Sequence, residues 1–377
     1  PKTIQEFEGI METHLAMFDV EFFDIESSQL FEHLISSSKC VELEEPIIDN
    51  GRIVSAKHLK TPLTSVDYKM LKHFYKWKRI GIGLMYIYRA RYLPTDFVKA
   101  LIKLYKDKTT LKDVDDENSK ALYQGAKELL NAAYGCTIMD VCKPEIKYKD
   151  GEWVTEEPDI EKAVEKYNND KKRFLFYPWG VFITAYARYN LSIGIRECGK
   201  TLDYIYCDTD SVKTLNIDKH MAFFNRYNAM VERKLKRACE HHGIPFEDVA
   251  PKTIKGETKM IGVWDFEYRA KYFKAMRAKC YAYEIEGKGF NITIAGVNKK
   301  VAVPKLEEIA EKEKCHPLDL IKWGMLFDED TCGKNLHSYI DDPIEGYLTD
   351  YQGHRYHYEE LSCVHLEPTT YRLEAGD

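Results

Sequence analysis

The sequence lacks several features that would place it in common classes of protein. Among its 377 residues, no apolar run approaches the roughly 20 residues that a membrane-spanning helix requires. No secretory signal is visible at the start, and no internal repeat or low-complexity segment divides the chain. We therefore expect a globular protein of about two or three domains that has no membrane partner.

Paired cysteines and a starting methionine are missing as well. The ten cysteines include no C-x-x-C pair, so the spacing does not indicate a zinc site. We expect reduced thiols in a reducing, cytoplasmic compartment. Because the chain begins with Pro1 rather than methionine, we also expect further sequence upstream of it.

Positive charge is slightly outnumbered by negative charge overall but is locally concentrated. The formal net charge of −6 argues against a protein that simply coats nucleic acid. The segment Arg269–Lys279, however, contains five cations and no anion, namely Arg269, Lys271, Lys274, Arg277 and Lys279. Such a stripe is compatible with a track that binds phosphates, and equally with an ordinary solvated face.

Two carboxylates follow an apolar run that predicts a β-strand. The run begins at Tyr204, and Asp208 and Asp210 stand at its end. On a continuous strand both side chains would point to the same face. There they could share one or two divalent cations, since Mg²⁺ prefers oxygen ligands. Such a pair suits metal-assisted phosphoryl transfer, although D-x-D alone also occurs in solvated turns.

A lysine, an amide and a phenol occupy one face of a predicted helix. This helix covers about residues 120–134 and follows a first helix that starts near Pro94, so the two form a helical hairpin. Lys127, Asn131 and Tyr134 lie at positions i, i+4 and i+7 and therefore share a face. Together they could contact a triphosphate, a sugar and a base. The alternative is an amphipathic helix whose tyrosine packs into a core.

Other patterns outline the remaining elements. Thr64 is a candidate N-cap for a helix that continues through Lys76. Periodicity and turn residues predict strands at 15–25, 278–285 and 290–297, a β-hairpin at 146–154 and an apolar helix over 180–198.

Four motifs together resemble those of the protein-primed family B DNA polymerases of bacteriophages. In chain order they are K-x-x-x-N-x-x-Y-G at Lys127–Gly135, T-x-x-A-R at Thr184–Arg188, Y-C-D-T-D-S at 206–211 and K-x-Y at Lys279–Tyr281. The order of the motifs is more specific than any one of them. The resemblance implies an α+β fold: a right-hand polymerase palm of antiparallel sheet and packed helices, helical fingers, hairpin-rich insertions and a small thumb.

The same resemblance implies domain boundaries. Residues 1–85 correspond to a first terminal-protein-region-like insertion with part of the palm, 86–135 to the fingers, 136–176 to a second insertion with a strand-displacement hairpin, 177–313 to the palm and 314–377 to the thumb.

The resemblance also implies a role for each motif residue. Asp208 and Asp210 would be the catalytic carboxylates and would bind Mg²⁺, which Mn²⁺ can replace. The implied nucleotide contacts are Lys127, Asn131, Tyr134, Lys112 and Lys120. The implied DNA contacts are Thr184, Arg188, Lys279, Tyr281, Arg277 and Lys274. The implied partners are a DNA primer–template, deoxynucleoside triphosphates and a terminal priming protein, and we expect a monomer in the cytoplasm of a bacterial host.

The chain departs from the family pattern in three places. Ala132 stands where the family usually has serine, and Tyr123 stands where a second lysine often lies. Motif A, D-x-x-S-L-Y-P, is not found, because Asp24–Ser27 resembles only its first half. We therefore expect motif A and a 3′–5′ exonuclease domain upstream of Pro1.

Three functions remain open at this point. The leading hypothesis is template-dependent transfer of deoxynucleotides to a 3′ hydroxyl by a two-metal mechanism. The alternative is a catalytically inactive fragment that only binds DNA or a priming protein, since the second metal-binding carboxylate of the family belongs to motif A. An unrelated metal-dependent phosphohydrolase would need further acidic or histidine ligands at tight spacing, and the sequence shows none.

Overall fold

Helices and antiparallel strands are mixed along the chain. The computed structural model describes residues 3–149, 152–171, 173–332, 334–340, 346–349, 355–358 and 363–375. Its helices are α1 Ile4–Thr13, α2 Ser65–Phe74, α3 Thr95–Thr110, α4 Glu117–Gly135, α5 Ile160–Asn169, α6 Tyr177–Gly199, α7 Ile217–His242, α8 Phe246–Val249, α9 Lys299–Glu313 and α10 Pro317–Leu320.

The strands pair into one large sheet, one three-stranded sheet and several hairpins or strand pairs. They are β1 His14–Ser27, β2 Glu42–Glu44, β3 Ile47–Asp49, β4 Arg52–Thr64, β5 Tyr75–Lys76, β6 Arg79–Arg89, β7 Glu145–Lys149, β8 Glu152–Glu156, β9 Tyr204–Asp208, β10 Ser211–Thr214, β11 Ala270–Arg277, β12 Cys280–Ile285, β13 Gly289–Ile294, β14 Leu326–Phe327, β15 Lys334–Ile340, β16 Gly346–Thr349, β17 Arg355–Tyr358, β18 Cys363–Pro368 and β19 Tyr371–Arg372.

The chain divides into two compact units. The first comprises Pro1–Asp140 and Asp170–Trp264, and the second comprises Val141–Asn169 and Asp265–Asp377. The predicted hairpin thus lies in the second unit. The five domains drawn from the sequence stay a prediction.

A six-stranded antiparallel sheet forms the centre of the first unit. Its long strand β1 pairs with β4 on one side and with β5 and β6 on the other. Every second residue of β1 is buried, from Ala16 through Phe18 and Val20 to Phe22, as the two-residue period of a strand requires. Helix α1 packs on this face, and the ring of Phe7 meets that of Phe18 edge-on at a centroid distance of 4.8 Å.

The start of α2 agrees with the predicted N-cap. The hydroxyl of Thr64 accepts a hydrogen bond from the Asp67 backbone N–H at 3.0 Å, and the Asp67 carboxylate accepts one from the Thr64 N–H. This reciprocal capping box satisfies two amides that a helix start leaves without partners. The helix ends at Phe74 rather than Lys76, because Tyr75 and Lys76 pair with β1 as β5.

The second unit contains the three-stranded sheet β11–β12–β13 with α9 packed against it. The basic stripe is largely strand β11, and Lys279 forms the left-handed turn to β12 with φ of 54°. The predicted hairpin is present as β7 and β8, paired from Glu145–Glu156 to Lys149–Glu152, and Trp153 is half-exposed. Within the described ranges, no helix combines the length and the apolar character needed to cross a bilayer.

Helix α6 approaches the end of the helical hairpin closely at Gly180. A Cβ added at Gly180 would overlap Cγ2 of Ile138 and lie 2.5 Å from Oγ1 of Thr137. Thr137 is fully buried, so it has little room to move. Only glycine allows this helix to seat against residues 137–138 at this distance.

We therefore expect Gly180→Ala to destabilise the protein by about 1–3 kcal/mol through overpacking. The matched control is Gly9→Ala in α1, where an added Cβ meets no atom within 4 Å. There the substitution should stabilise the helix by about 0.5–1 kcal/mol. Chemical unfolding followed by circular dichroism measures both changes. Equal stability of Gly180→Ala and the wild type would show that the helix can shift at no cost.

Candidate functional site

The aspartates lie on the hairpin β9–β10, which is anchored at its base by aromatic packing. The ring of Tyr204 is buried and stacks on Phe31 at a centroid distance of 4.7 Å, while its hydroxyl donates a hydrogen bond to Glu32. Burial is the main cause that raises the pKa of Tyr204 well above its usual range, and it raises the pKa of Cys207 to about 11. Both side chains are therefore neutral at pH 7, and the negative charge of this hairpin is concentrated at its end.

The two carboxylates do not lie on one continuous strand, so that part of the sequence prediction is wrong. Strand β9 ends at Asp208, and Ser211 begins the returning strand β10. The backbone N–H of Asp210 donates to the carbonyl of Asp208 at 2.6 Å around Thr209, whose φ is 53°. This i→i+2 bond closes a tight γ-turn. The strand period therefore stops before Asp210, and the turn places both carboxylates at the apex of the hairpin.

Local hydrogen bonds hold the apex. The hydroxyl of Thr209 donates to Oδ1 of Asp208 at 3.0 Å, and the hydroxyl of Ser211 donates to the carbonyl of Asp208 at 3.2 Å. Asp208 is half-buried and Asp210 is exposed. A positive φ at a β-branched residue is unusual and persists only where the surroundings fix it.

The donor chemistry of the apex fits a magnesium ion. Asp208 and Asp210 supply hard carboxylate oxygens, and Mg²⁺ is commonly bound by one or two carboxylates together with water and substrate phosphates. Within the part of the chain that the structure describes, no group of three or more histidine, cysteine or acidic side chains is arranged to hold a metal. The apex therefore offers two protein ligands rather than a closed protein cage.

A buried carboxylate at the start of β9 fixes the hairpin to two helices. Asp203 accepts hydrogen bonds from Thr201 Oγ1 at 2.6 Å, from Asn216 Nδ2 at 2.7 Å and from the imidazole of His220 at 3.2 Å. These bonds, with that of Thr201 as the largest cause, lower the pKa of Asp203 to about 2. Thr201 follows α6, whereas His220 lies in α7, so one carboxylate joins both helices to the strand.

The backbone of Asp203 closes the other side of the hairpin base. Its carbonyl accepts from the backbone N–H of Leu215 at 2.7 Å and from the hydroxyl of Thr214 at 2.9 Å. His220 is almost fully buried. No sequence pattern indicates Asp203 or His220, since a lone aspartate before an apolar run and a histidine within a long helix carry no motif.

The predicted nucleotide contacts lie on or near α4. Lys127, Asn131 and Tyr134 are all within this helix, as expected, and the ammonium of Lys127 lies 6.0 Å from the ring centroid of Tyr123. Lys112 is exposed in the turn between α3 and α4. Lys120 is also exposed and forms a 2.7 Å ion pair with Asp115. An exposed pair of this kind is weak, so it leaves Lys120 able to exchange partners.

Arg188 takes part in an internal ion pair that the sequence analysis did not foresee. Its guanidinium donates to both oxygens of Asp67, with N–O distances from 2.9 to 3.1 Å. The Asp67 side chain is 10% exposed and that of Arg188 is 52% exposed. Thr184, one turn earlier on α6, donates its hydroxyl to the backbone carbonyls of Gly180 and Val181. The Thr-x-x-Asp pattern of the capping box was the available indication that Asp67 is a structural residue.

The remaining predicted DNA contacts lie in the second unit, and several of them have structural partners there. Lys274 donates to the backbone carbonyl of Leu318 at 3.2 Å, and Arg277 donates to the hydroxyl of Tyr371. Tyr281 is 8% exposed and packs against Phe273 and Tyr283, whereas Lys279 is exposed at the turn.

Comparison with known sequences identifies phage DNA polymerases. No family model matches the chain. The DNA polymerase of Bacillus phage phi29 is 27% identical over 236 residues, which cover 59% of this chain and 31% of that protein. The DNA polymerase of Bacillus phage Nf is 24% identical over 279 residues, which cover 72% of this chain and 39% of that protein. The chain thus spans between 31% and 39% of the length of these relatives.

Comparison with solved structures defines the fold. Phi29 DNA polymerase in an orthorhombic crystal form matches with a TM-score of 0.52 at 18% identity, over 96% of this chain and 51% of that chain. Phi29 DNA polymerase complexed with primer-template DNA and incoming nucleotide substrates matches with a TM-score of 0.51. The chain therefore has the α+β polymerase fold that the sequence predicted. Its relatives are the phi29-type protein-primed DNA polymerases, which confirms the resemblance.

The hydrogen bonds of Asp203 predict how the stability of the protein depends on pH. Because the pKa of Asp203 is about 2 in the folded protein and 3.8 ordinarily, its contribution to stability is complete above about pH 4 and is lost as the pH falls toward 2. We expect Asp203→Asn to lower the unfolding temperature at pH 7 and to flatten its decline between pH 4 and 2. The matched control is Glu12→Gln, an exposed carboxylate of α1. Parallel pH curves for Asp203→Asn and the wild type would contradict the assignment.

Proposed function

We propose that this protein catalyses template-directed addition of deoxynucleotides to the 3′ hydroxyl of a DNA primer. The observation that carries the proposal is the pair Asp208 and Asp210 at the apex of a β-hairpin. This hairpin belongs to a chain whose fold and sequence relatives are those of phi29-type DNA polymerases. In this reaction the 3′ hydroxyl attacks the α-phosphate of the incoming nucleotide, and pyrophosphate leaves.

Asp208 and Asp210 would bind Mg²⁺, or Mn²⁺ in its place, together with the phosphates of the nucleotide. When bound, two such ions stabilise the negative charge on the attacking and leaving oxygens. The apex supplies two carboxylates, and in this proposal a motif A carboxylate completes the two-metal site. Of the two residues, Asp210 is the more exposed, and we assign it direct metal ligation.

Helix α4 would bind the incoming nucleotide. The ammonium of Lys127 offsets negative charge on the triphosphate as the bond to pyrophosphate breaks. Asn131 and Tyr134, one and two turns further along α4, would line the nascent base pair. Lys120 near the start of α4 and Lys112 in the turn before it are exposed and would add to the phosphate contacts.

The primer–template would be held through phosphate contacts, which give sequence-independent and salt-sensitive affinity. We assign such contacts to Thr184, Arg188 and Lys279. Arg188 can contact a phosphate only with the exposed part of its side chain, because its guanidinium also forms the ion pair with Asp67. Lys274 and Arg277 form hydrogen bonds within the second unit, so we assign them a smaller contribution to DNA binding than the sequence suggested.

Two further roles follow from the resemblance. Residues 1–85 would dock the terminal priming protein, and the hairpin β7–β8 would help to separate the template from the displaced strand. Trp153 on β8 exposes half of its surface, which suits a side chain that wedges between strands. We expect the protein to act as a monomer.

The alternative function is a binding module without catalysis. It is supported by the absence, among the described residues, of a third metal ligand beside Asp208 and Asp210. Extension of a primer by this 377-residue chain alone would exclude it. DNA binding without extension would support it for the isolated chain.

The metal assignment predicts that Asp210→Asn lowers primer extension at least about 100-fold, the scale of losing one group that stabilises transition-state charge. DNA binding should stay nearly unchanged, because the substitution removes a metal ligand and no phosphate contact. The assay is extension of a labelled primer by the full-length polymerase with Mg²⁺ and all four deoxynucleotides. The control is Asp96→Asn, an exposed aspartate in the first turn of α3. Wild-type extension by Asp210→Asn would refute the assignment.

The role assigned to the hairpin β7–β8 predicts that its removal impairs strand displacement selectively. Replacement of residues 145–156 by a short glycine–serine linker in the full-length polymerase should spare copying of an open template and slow copying through duplex DNA. Trp153→Ala should reproduce part of this effect, since it removes the large exposed ring and keeps the hairpin backbone. An equal reduction in copying rate on the two templates would show that the hairpin has no part in strand separation.

A further inference from the structure

Four aromatic rings form a cluster at the beginning of α6 that none of the roles above uses. The ring of Phe97, in the first turn of α3, stacks on Trp179 of α6 with centroids 5.4 Å apart. Phe174 lies 5.3 Å from Phe97, and Phe176 lies 5.0 Å from Trp179. We name Phe97, Phe174, Phe176 and Trp179 the aromatic patch. All four residues belong to the first unit.

The aromatic patch is a surface rather than part of a core. Phe174 and Phe176 are 39% and 49% exposed, and the neighbouring Tyr177 is 59% exposed. None of the patch residues belongs to the buried clusters found among the described residues. Exposed aromatic rings placed side by side cost solvation free energy, so they commonly mark a binding surface.

The backbone holds these rings in place. Phe174 and Phe176 lie in the segment 173–176, which connects to α6 without regular structure. The backbone N–H of Trp179 donates to the carbonyl of Phe176 at 2.9 Å. Pro178 stands in the first turn of α6, where its missing N–H costs nothing and its fixed φ favours the helix. Trp179 is therefore presented by the start of α6, and one backbone hydrogen bond ties Phe176 to it.

The charge around the aromatic patch selects a negatively charged partner. Lys171, Lys172 and Arg173 directly precede the patch, and no anion follows them before Glu197, on a chain whose net charge is −6. Lys99 is exposed on α3 near Phe97, and the acidic residues Asp96 and Asp170 flank the patch. Cations interleaved with exposed rings are the pattern of surfaces that bind single-stranded nucleic acid.

We propose that the aromatic patch binds single-stranded DNA by stacking of unpaired bases on Phe174 and Phe176, while the adjacent cations contact the phosphates. Stacking tolerates any base, because each base has a π-face. The site therefore suits template strand that has not yet been paired. This inference extends the proposed polymerase function and rests on it for the identity of the ligand.

The test is binding of a fluorescein-labelled oligothymidylate of about 12 nucleotides, a length that matches common single-strand sites. Fluorescence anisotropy is measured with the 377-residue chain and with the double variant Phe174→Ala, Phe176→Ala. We expect the double variant to bind about fivefold more weakly or worse, the scale of losing one stacked base. Unchanged affinity would overturn the proposal. Both rings are exposed, and circular dichroism verifies that the variant is folded.

A strand of the same length without bases separates stacking from phosphate binding. The wild type and the double variant should bind this abasic strand with equal affinity, because only the phosphates remain. An equal loss on both strands would mean that the substitutions disturb the cations rather than a stacking surface, which would overturn the proposal.

Two single variants complete the design. Phe176→Leu keeps an apolar side chain of similar size but removes the ring, so it should bind oligothymidylate as weakly as Phe176→Ala. Wild-type affinity of Phe176→Leu would point to a protein partner on an apolar surface and would overturn the assignment of bases. Tyr86→Ala removes an exposed ring of β6 outside the patch and should leave binding unchanged.

The proposal and the polymerase function fail separately. Asp210→Asn should stop primer extension and leave binding of oligothymidylate unchanged, since its side chain lies at the hairpin apex. Loss of oligothymidylate binding in Asp210→Asn would show that the labelled strand occupies the metal site instead of the aromatic patch. If the wild type extends primers normally and the patch variants bind oligothymidylate as tightly as the wild type, single-strand binding by the aromatic patch is refuted and the polymerase function is not.

Discussion

The hydrogen-bonded carboxylate of Asp203 is the interaction on which the geometry of the candidate site depends. It lies at the start of β9, and its partners come from the end of α6 and from the beginning of α7. A buried carboxylate that receives three donors is held in one position and stays ionised. The direction of β9 is thereby fixed, and with it the place where the carboxylates of the hairpin apex can lie.

A second carboxylate has a similar dual role. Asp67 caps α2 through Thr64 and also pairs with Arg188 on α6, so it joins the helix that follows β4 to the helix that leads to β9. Each aspartate satisfies one donor residue that is buried, Thr64 for Asp67 and His220 for Asp203, and a buried donor without a partner is costly. In the first unit, the buried carboxylates of Asp67 and Asp203 thus connect neighbouring elements, whereas Asp208 and Asp210 at the hairpin apex stay accessible.

Sequence periodicity located several of the elements but not their polar contacts. The long strand β1, the helical hairpin α3–α4, the hairpin β7–β8 and the helix α6 lie where their patterns predicted them. The γ-turn at Thr209 was missed, because a Thr at positive φ has no pattern in the sequence. The ion pair of Arg188 joins residues 121 positions apart, and no local rule reveals such a partner. Motif resemblance identified chemistry-bearing residues, whereas tertiary structure decided which of them, such as Tyr281, are buried.

The turn at Thr209 has a consequence for how the protein can change. A β-branched residue held at positive φ costs on the order of 1–3 kcal/mol, and the rest of the hairpin must supply that energy. Substitutions that relax the turn would raise thermal stability while they change the relative position of Asp208 and Asp210. If these carboxylates have the proposed metal-binding role, selection for heat resistance and selection for catalytic geometry oppose each other at this one residue, and stabilised variants of the molecule are best sought elsewhere in the chain.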